Sequence, residues 1–288
     1  MSSTQLLQES IYAEGVDYRR GSPHLAHWPL YDRLTGILRD EVRHLAGRGL
    51  ALDVLEVGAG HGGYTEPALA AGCRVTAVEM SRPALAQLDR RFGTNSDFSS
   101  VFDPDGSLSE VGGGFSLVLC VSVLHHMPDY LTFLDSVTDK LRPGGSLLAL
   151  QDPLWYPRAG RGVRVADRVA FYAWRLGQGD LREGFGTLGR RLRGGYDETN
   201  PSDMVEYHVV RQGVDERAVA GLLAGRFGSI EVLPYWSNQW GVAQRLGERL
   251  GLHNTFGVLA RARADSARPL LGSPVPAVDR RDDGRGVH

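Results

Sequence analysis

The stretch Leu55-Glu56-Val57-Gly58-Ala59-Gly60-His61-Gly62-Gly63-Tyr64 is an apolar run that breaks into glycines and resumes as a helix-forming segment. Backbone that must lie against a bound nucleotide has no room for a Cβ, so glycines at such a break point to a nucleotide-type cofactor. Glu79 ends the next apolar run, about 20 residues beyond Gly60, where a carboxylate can accept from both hydroxyls of a ribose. Gly58, Gly60 and Gly63 also satisfy G-x-G-x-x-G, so the loop alone admits a dinucleotide. Glu56, two residues before Gly58, weighs against that reading: it suits a ligand with cationic groups and repels a pyrophosphate.

A second group with chemical potential follows the apolar run Phe115–Val121, where His125 and His126 precede Met127-Pro128-Asp129. Histidine titrates near 6.5 and is the natural general base at neutral pH. Being adjacent, the two side chains diverge, and His126 is the one expected in the cleft. Asp152, after the run Ser146–Leu150, is expected to face the cleft as well, orienting a base or binding a substrate hydroxyl. The histidines lack zinc-ligand spacing, so the chemistry is read as metal-independent.

These residues need elements to position them. Leu30, Leu34, Ile37, Leu38 and Val42 recur at helical spacing within residues 1–50, which read as two or three helices stopped by Gly47 and Gly49. Apolar runs at Ala51–Val57, Arg74–Val78, Phe98–Phe102, Phe115–Val121 and Ser146–Leu150 then alternate with helical stretches. That rhythm builds β-α-β units and a parallel sheet covered on both faces. It breaks at 152–213, which is rich in arginine, glycine and aromatics and holds one amphipathic helix marked by Val165, Val169, Tyr172 and Leu176. A helix at 215–225, a strand at Ser229–Leu233, a helix near 240–250 and a strand at Phe256–Ala260 close the sheet. The expected divisions are a helical lid over 1–50, a cofactor-binding core over 51–151, an insertion over 152–213 and the end of the sheet over 214–263. Residues 264–288 read as a disordered tail.

Composition narrows the function. The chain has 288 residues, 42% hydrophobic and 23% charged, which is ample for a large core. A net charge of −2 offers no field for holding a polyanion, so nucleic acid is not expected as a partner. Cys73 and Cys120 are the only cysteines, which suits a reducing cytosol. Neither a membrane-spanning run nor a signal-peptide pattern is expected, and the arginines between 158 and 193 read as a solvated face or a contact for an anionic substrate.

The glycine loop, the acidic end of the second strand, Leu124-His125-His126-Met127-Pro128-Asp129 and Leu141-Arg142-Pro143-Gly144-Gly145 together resemble a class I S-adenosylmethionine-dependent methyltransferase. The resemblance covers residues 51–151 and, more weakly, the last two strands. It implies a Rossmann-like α/β fold with a seven-stranded, mostly parallel sheet whose final strand is antiparallel, a helical N-terminal lid, and an inserted lid after strand five. It implies that Gly58, Ala59, Gly60 and Gly62 wrap the methionyl part and sugar of S-adenosylmethionine, and that Glu56 orients its ammonium. Glu79 would bind the ribose, Met80 would pack on adenine and Asp103 would accept the adenine amino group. Cys120 and Val121 would contact the cofactor through their backbone. Tyr18, His24, His27 and Trp28 are expected as lid residues over the substrate, together with Trp155, Tyr207 and His208 in the insertion; Trp28 and Tyr31 are also read as helix-packing aromatics.

No Asp/Asn/Ser-Pro-Pro-aromatic motif follows strand four, which argues against amino-methylation of bases or protein amides. No carboxylate stands there for a catechol-type metal site either. The expected activity is methyl transfer to a hydroxyl of a small natural product in secondary metabolism, such as antibiotic biosynthesis, by a cytoplasmic monomer or homodimer. The alternatives are N-methylation of a small amine and, from another class, a nicotinamide-dependent oxidoreductase.

Overall fold

The computed structural model describes residues 22–177 and 213–264; the expected tail beyond them lies outside the described residues. Two helices lead in, α1 (Pro23–Ala26) and α2 (Trp28–Gly47). Leu30, Leu34, Leu38, Val42 and Leu45 form one buried stripe along α2 and pack on Val54, Val75, Leu117, Leu119, Leu148 and Leu259 from one face of the sheet. Each leucine so buried contributes about 1.5–3 kcal/mol.

The core then alternates β1 (Asp53–Val57), α3 (Thr65–Ala70), β2 (Arg74–Glu79), α4 (Arg82–Phe92), β3 (Phe98–Phe102) and β4 (Phe115–Val121). A 3₁₀ turn (Leu124–His126), α5 (Tyr130–Thr138) and β5 (Leu141–Pro153) follow. Ser81 and Asp129 cap α4 and α5 by accepting from Ala84 N–H and Thr132 N–H. After the insertion come α7 (Glu216–Ala224), β6 (Phe227–Tyr235), α8 (Gly241–Arg249) and β7 (Thr255–Arg263). On the second face of the sheet, Leu134, Val137, Val219 and Leu223 from α5 and α7 pack against Val118, Leu147, Val258 and Ala260.

The seven strands lie in the order β3-β2-β1-β4-β5-β7-β6. All neighbours are parallel except β7, which runs antiparallel to β5 and β6. This is the expected Rossmann-like α/β architecture, a seven-stranded, mostly parallel sheet with helices on both faces. The chain moves outward through β2 and β3, then returns to the other side of β1 with β4. The carboxyl ends of β1 and β4 therefore form the crevice where ligands bind in open parallel sheets.

β5 is longer than the apolar run suggests. Leu141 already pairs with Phe115, and pairing resumes at Leu117–Ser146 after a register shift that absorbs Arg142-Pro143-Gly144-Gly145. At its far end β5 reaches Pro153, so Asp152 lies inside the strand, opposite Phe256, rather than after it. Leu154 bridges Val214, so the chain leaves the sheet and rejoins it at one place. Within the described part of the insertion lie a 3₁₀ turn (Tyr156–Arg158) and α6 (Arg161–Gly177). Arg158 pairs with Asp215 and Glu216, tying the two ends of the excursion together. Among the described residues no helix is long and apolar enough to cross a membrane.

Candidate functional site

A cavity lies over the carboxyl ends of β1, β2 and β4. The glycine loop forms one wall. Gly58 N–H and Ala59 N–H both donate to Val78 C=O, which anchors the turn to β2. Gly58 has φ +71°, and a Cβ there would come within 2.8 Å of Val123 Cγ2. Gly58→Ala therefore combines a left-handed backbone with a clash against a cavity-lining side chain, and is expected to destabilise by about 1–3 kcal/mol. A thermal denaturation midpoint equal to that of the parent would contradict this. Gly62 serves a different contact: its φ is +76°, and a Cβ would lie 2.4 Å from Phe92 Cε2 on α4.

Glu79 sits at the tip of β2, 4% exposed and in the cavity wall. Its carboxylate accepts from Gly60 N–H at 2.8 Å, Met80 N–H at 2.9 Å and Ser81 N–H at 3.0 Å. Burial raises its pKa, and those three N–H donors oppose the rise. Glu56 lies deeper in the same wall and accepts from Thr65 Oγ1 at 2.5 Å. Burial pushes its pKa up from an ordinary 4.5 to about 8, with the Thr65 hydroxyl opposing and Glu79 adding to the rise. A buried carboxyl held in that range gains strongly from a cation. Because the folded value lies above the unfolded one, Glu56 favours folding fully below pH 4.5, and that contribution is lost as pH rises toward 8. Glu56→Gln is expected to flatten this part of the stability profile; melting curves between pH 5 and 8.5 with an unchanged slope would contradict the assignment.

Ala59, Met80, Asp103 and Val121 also line the cavity. Asp103 is buried and accepts from Leu108 N–H at 2.9 Å, and burial raises its pKa. Ser122, just past β4, lines the cavity with φ +61°, a conformation that costs a non-glycine residue about 1–3 kcal/mol and that collects at functional sites.

The two histidine rings pack against each other rather than diverging, but their surroundings differ. His126 lines the cavity, whereas His125 is buried and turns inward. His125 Nδ1 lies 2.8 Å from Asp152 Oδ1, which also accepts from His125 backbone N–H at 3.1 Å. Burial pushes both partners toward their uncharged forms, lowering His125 and raising Asp152. The two imidazole centroids are 4.0 Å apart. Asp152 thus pins the turn that carries His126.

Several expected positions stand elsewhere. Asp152 is 1% exposed and does not face the cleft, because the extended β5 carries it beneath the 3₁₀ turn. His125 is not in the cavity wall either. Cys120 is fully buried one residue short of the edge, and Gly62 points at α4, so neither lines the cavity. His27 Nε2 is 2.8 Å from Asn238 C=O, binding the N-terminal segment to the loop before α8. Trp155 opens the Tyr156 turn outside the cavity wall. Trp28 is 71% exposed and leans on Tyr31, whose hydroxyl donates to Gly63 C=O at 2.9 Å. Tyr18, Tyr207 and His208 lie outside the described residues.

His24 does line the cavity, from α1. Its Nδ1 is shielded from solvent and has no hydrogen-bond partner, and burial lowers its pKa to about 3. Tyr64, which sequence reasoning gave no role, lines the same wall; its Oη is likewise shielded and unpartnered. A buried polar atom left unpaired costs about 1–3 kcal/mol. Leu25, His61, Val123 and Met127 complete parts of the wall and were also missed. Their contribution depends on how loops meet, which local pattern does not show. Among the described residues, no group of three or more His, Cys, Asp or Glu is placed to hold a metal ion.

Residues 55–147 match the family described as a methyltransferase domain. A ubiquinone biosynthesis O-methyltransferase of Xanthomonas campestris pv. campestris is 32% identical over 97 residues, 33% of this chain. The match spans 40% of that relative's length. Among solved structures, the N-methyltransferase NodS from Bradyrhizobium japonicum, crystallised with S-adenosyl-L-homocysteine, superposes with a TM-score of 0.53 at 18% identity. It covers 91% of this chain and 99% of NodS. Magnesium protoporphyrin IX methyltransferase from Synechocystis PCC 6803 superposes with a TM-score of 0.50 at 15% identity, over 92% of this chain and 100% of that one. At these identities the likeness to the solved structures is one of fold.

Proposed function

We propose that the protein, whose residues 55–147 match a methyltransferase domain and whose fold is that of class I methyltransferases, transfers a methyl group from S-adenosylmethionine to a hydroxyl of a small natural product. The observation that carries this reading is the placement of Glu56, Glu79 and His126 around one cavity at the switch point of the sheet.

The residues present fit the cofactor. Gly58 leaves a cradle that a Cβ would fill, and Glu56 is a buried carboxyl whose raised pKa favours a cationic partner. When bound, S-adenosylmethionine supplies an electrophilic methyl on a sulfonium. Glu79 would accept from the ribose hydroxyls, Glu56 would receive the ammonium, Met80 would pack on adenine, Asp103 would accept its amino group, and Val121 would contact the cofactor through its backbone. Gly58, Ala59 and Gly60 let backbone lie against the ligand. Alignment of donor and acceptor in a water-poor crevice contributes on the order of 7–11 kcal/mol. His126 takes the proton of the acceptor hydroxyl at a ring nitrogen, held in place by the His125–Asp152 pair, for a further ~10²–10⁴-fold.

His126→Ala is expected to lower kcat with a hydroxyl acceptor by about 10²-fold while S-adenosylhomocysteine affinity changes less than twofold. An unchanged kcat would remove His126 as the base. The activity itself is tested by following methyl transfer from labelled S-adenosylmethionine to matched panels of phenols, sugars and amines. Label on a hydroxyl supports the proposal. Label on amines alone assigns N-methylation instead, and label on neither contradicts it.

A further inference from the structure

We infer that the anionic end of an α-amino acid is held in this cavity by two neutral donors, the His24 imidazole and the Tyr64 phenol, without a cationic side chain. The inference rests on the proposed cofactor and names the contacts that recognise its amino-acid end.

Both side chains line the cavity and both are buried. Their ring centroids lie 6.2 Å apart, and each keeps one polar atom, His24 Nδ1 and Tyr64 Oη, with no partner. Two unmade hydrogen bonds on neighbouring side chains of one wall mark where a polar ligand group belongs. Glu56 defines which end of a ligand that is, because Thr65, the residue after Tyr64, donates to its carboxylate. The Glu56 carboxylate is close enough to the Tyr64 phenol to act on it electrostatically, and the His24 ring lies beside that phenol, so the three share one part of the cavity wall. Glu56 takes the ammonium of a zwitterion, and the adjacent carboxylate needs hydrogen-bond donors.

Among the described residues that line the cavity there is no lysine or arginine, so neutral donors must meet that need. Tyr64 keeps its proton because burial raises its pKa, and burial keeps His24 neutral. A neutral imidazole donates from one nitrogen only, so the assignment requires the proton on Nδ1. As α1 has only four residues, the position of His24 depends on its neighbours: Leu25 and Ala26 N–H both donate to Ser22 C=O, and His27 is fixed to Asn238. The N-terminal segment thus contributes a recognition group as well as a cover.

The test compares two ligands on three proteins by titration calorimetry. S-adenosylhomocysteine carries the amino-acid end, and 5′-methylthioadenosine lacks it. His24→Ala and Tyr64→Phe are each expected to weaken S-adenosylhomocysteine at least fivefold and to leave 5′-methylthioadenosine within twofold of the parent. Retained 5′-methylthioadenosine binding also shows that each variant folds. Equal weakening of both ligands, or of neither, would overturn the inference, as would a change confined to the KM of the methyl acceptor. If the parent binds neither ligand, the cofactor assignment itself fails, which is a separate outcome.

Discussion

Asp152→Ala is expected to destabilise the protein by about 2–5 kcal/mol and to lower kcat together. The substitution removes an acceptor from a fully buried pair. His125 loses partners for both its backbone N–H and its Nδ1, at 3.1 Å and 2.8 Å, and stays enclosed. Each polar group left unpaired costs about 1–3 kcal/mol, and the lost side chain adds a small cavity. The pair joins β5 to the turn after β4, so its loss also frees the backbone that presents His126 to the cavity. Asp152→Asn keeps one acceptor oxygen and is expected to cost roughly half as much. Urea denaturation of the two variants measures this directly, and a loss below about 1 kcal/mol for Asp152→Ala would contradict the proposed pinning role.

Glu79→Ala is expected to weaken S-adenosylhomocysteine by more than tenfold. Glu79 accepts from three backbone N–H groups spanning the glycine loop and the start of α4. It therefore clasps the glycine loop to the turn into α4, and it is the proposed ribose contact. Removing it leaves three donors unpaired, so the melting temperature is expected to fall along with affinity. Glu79→Gln separates the roles, since its carbonyl oxygen still accepts while its amide meets N–H groups it cannot bind. The expected order of affinity is parent, then Gln, then Ala. Unchanged affinity in Glu79→Ala would remove the carboxylate from the cofactor site.

The parts of this architecture set by local pattern were legible in the sequence. Phe98–Phe102 is a strand with the bounds expected of it, and the runs ending at Val57, Glu79 and Val121 deliver their termini to one edge. Continuous apolar strands can only be buried on both faces, which forces a parallel sheet with helical layers. The glycine loop and Glu79 were legible for the same reason, as breaks in otherwise apolar runs. Positions set by long-range packing were not. β5 begins five residues early because its glycines allow a register shift against β4, and it continues past Leu150 to Pro153, which drew Asp152 from the cleft into the layer under His125. Tyr64 belongs to the quoted loop, yet its place opposite His24 depends on a segment forty residues earlier in the chain. The left-handed Ser122 has no local signature either, since nothing in its neighbours' identities calls for that conformation.

The measurement that bears most directly on this account is a calorimetric titration of the parent protein with S-adenosylhomocysteine and, separately, with NAD. Saturable binding of the first is expected at one site per chain, with Glu56 losing a proton on binding near pH 7 because its pKa of about 8 must fall beside an ammonium. That release appears as a dependence of the observed heat on the buffer's ionisation enthalpy. Saturable binding of NAD with no heat from S-adenosylhomocysteine would contradict it.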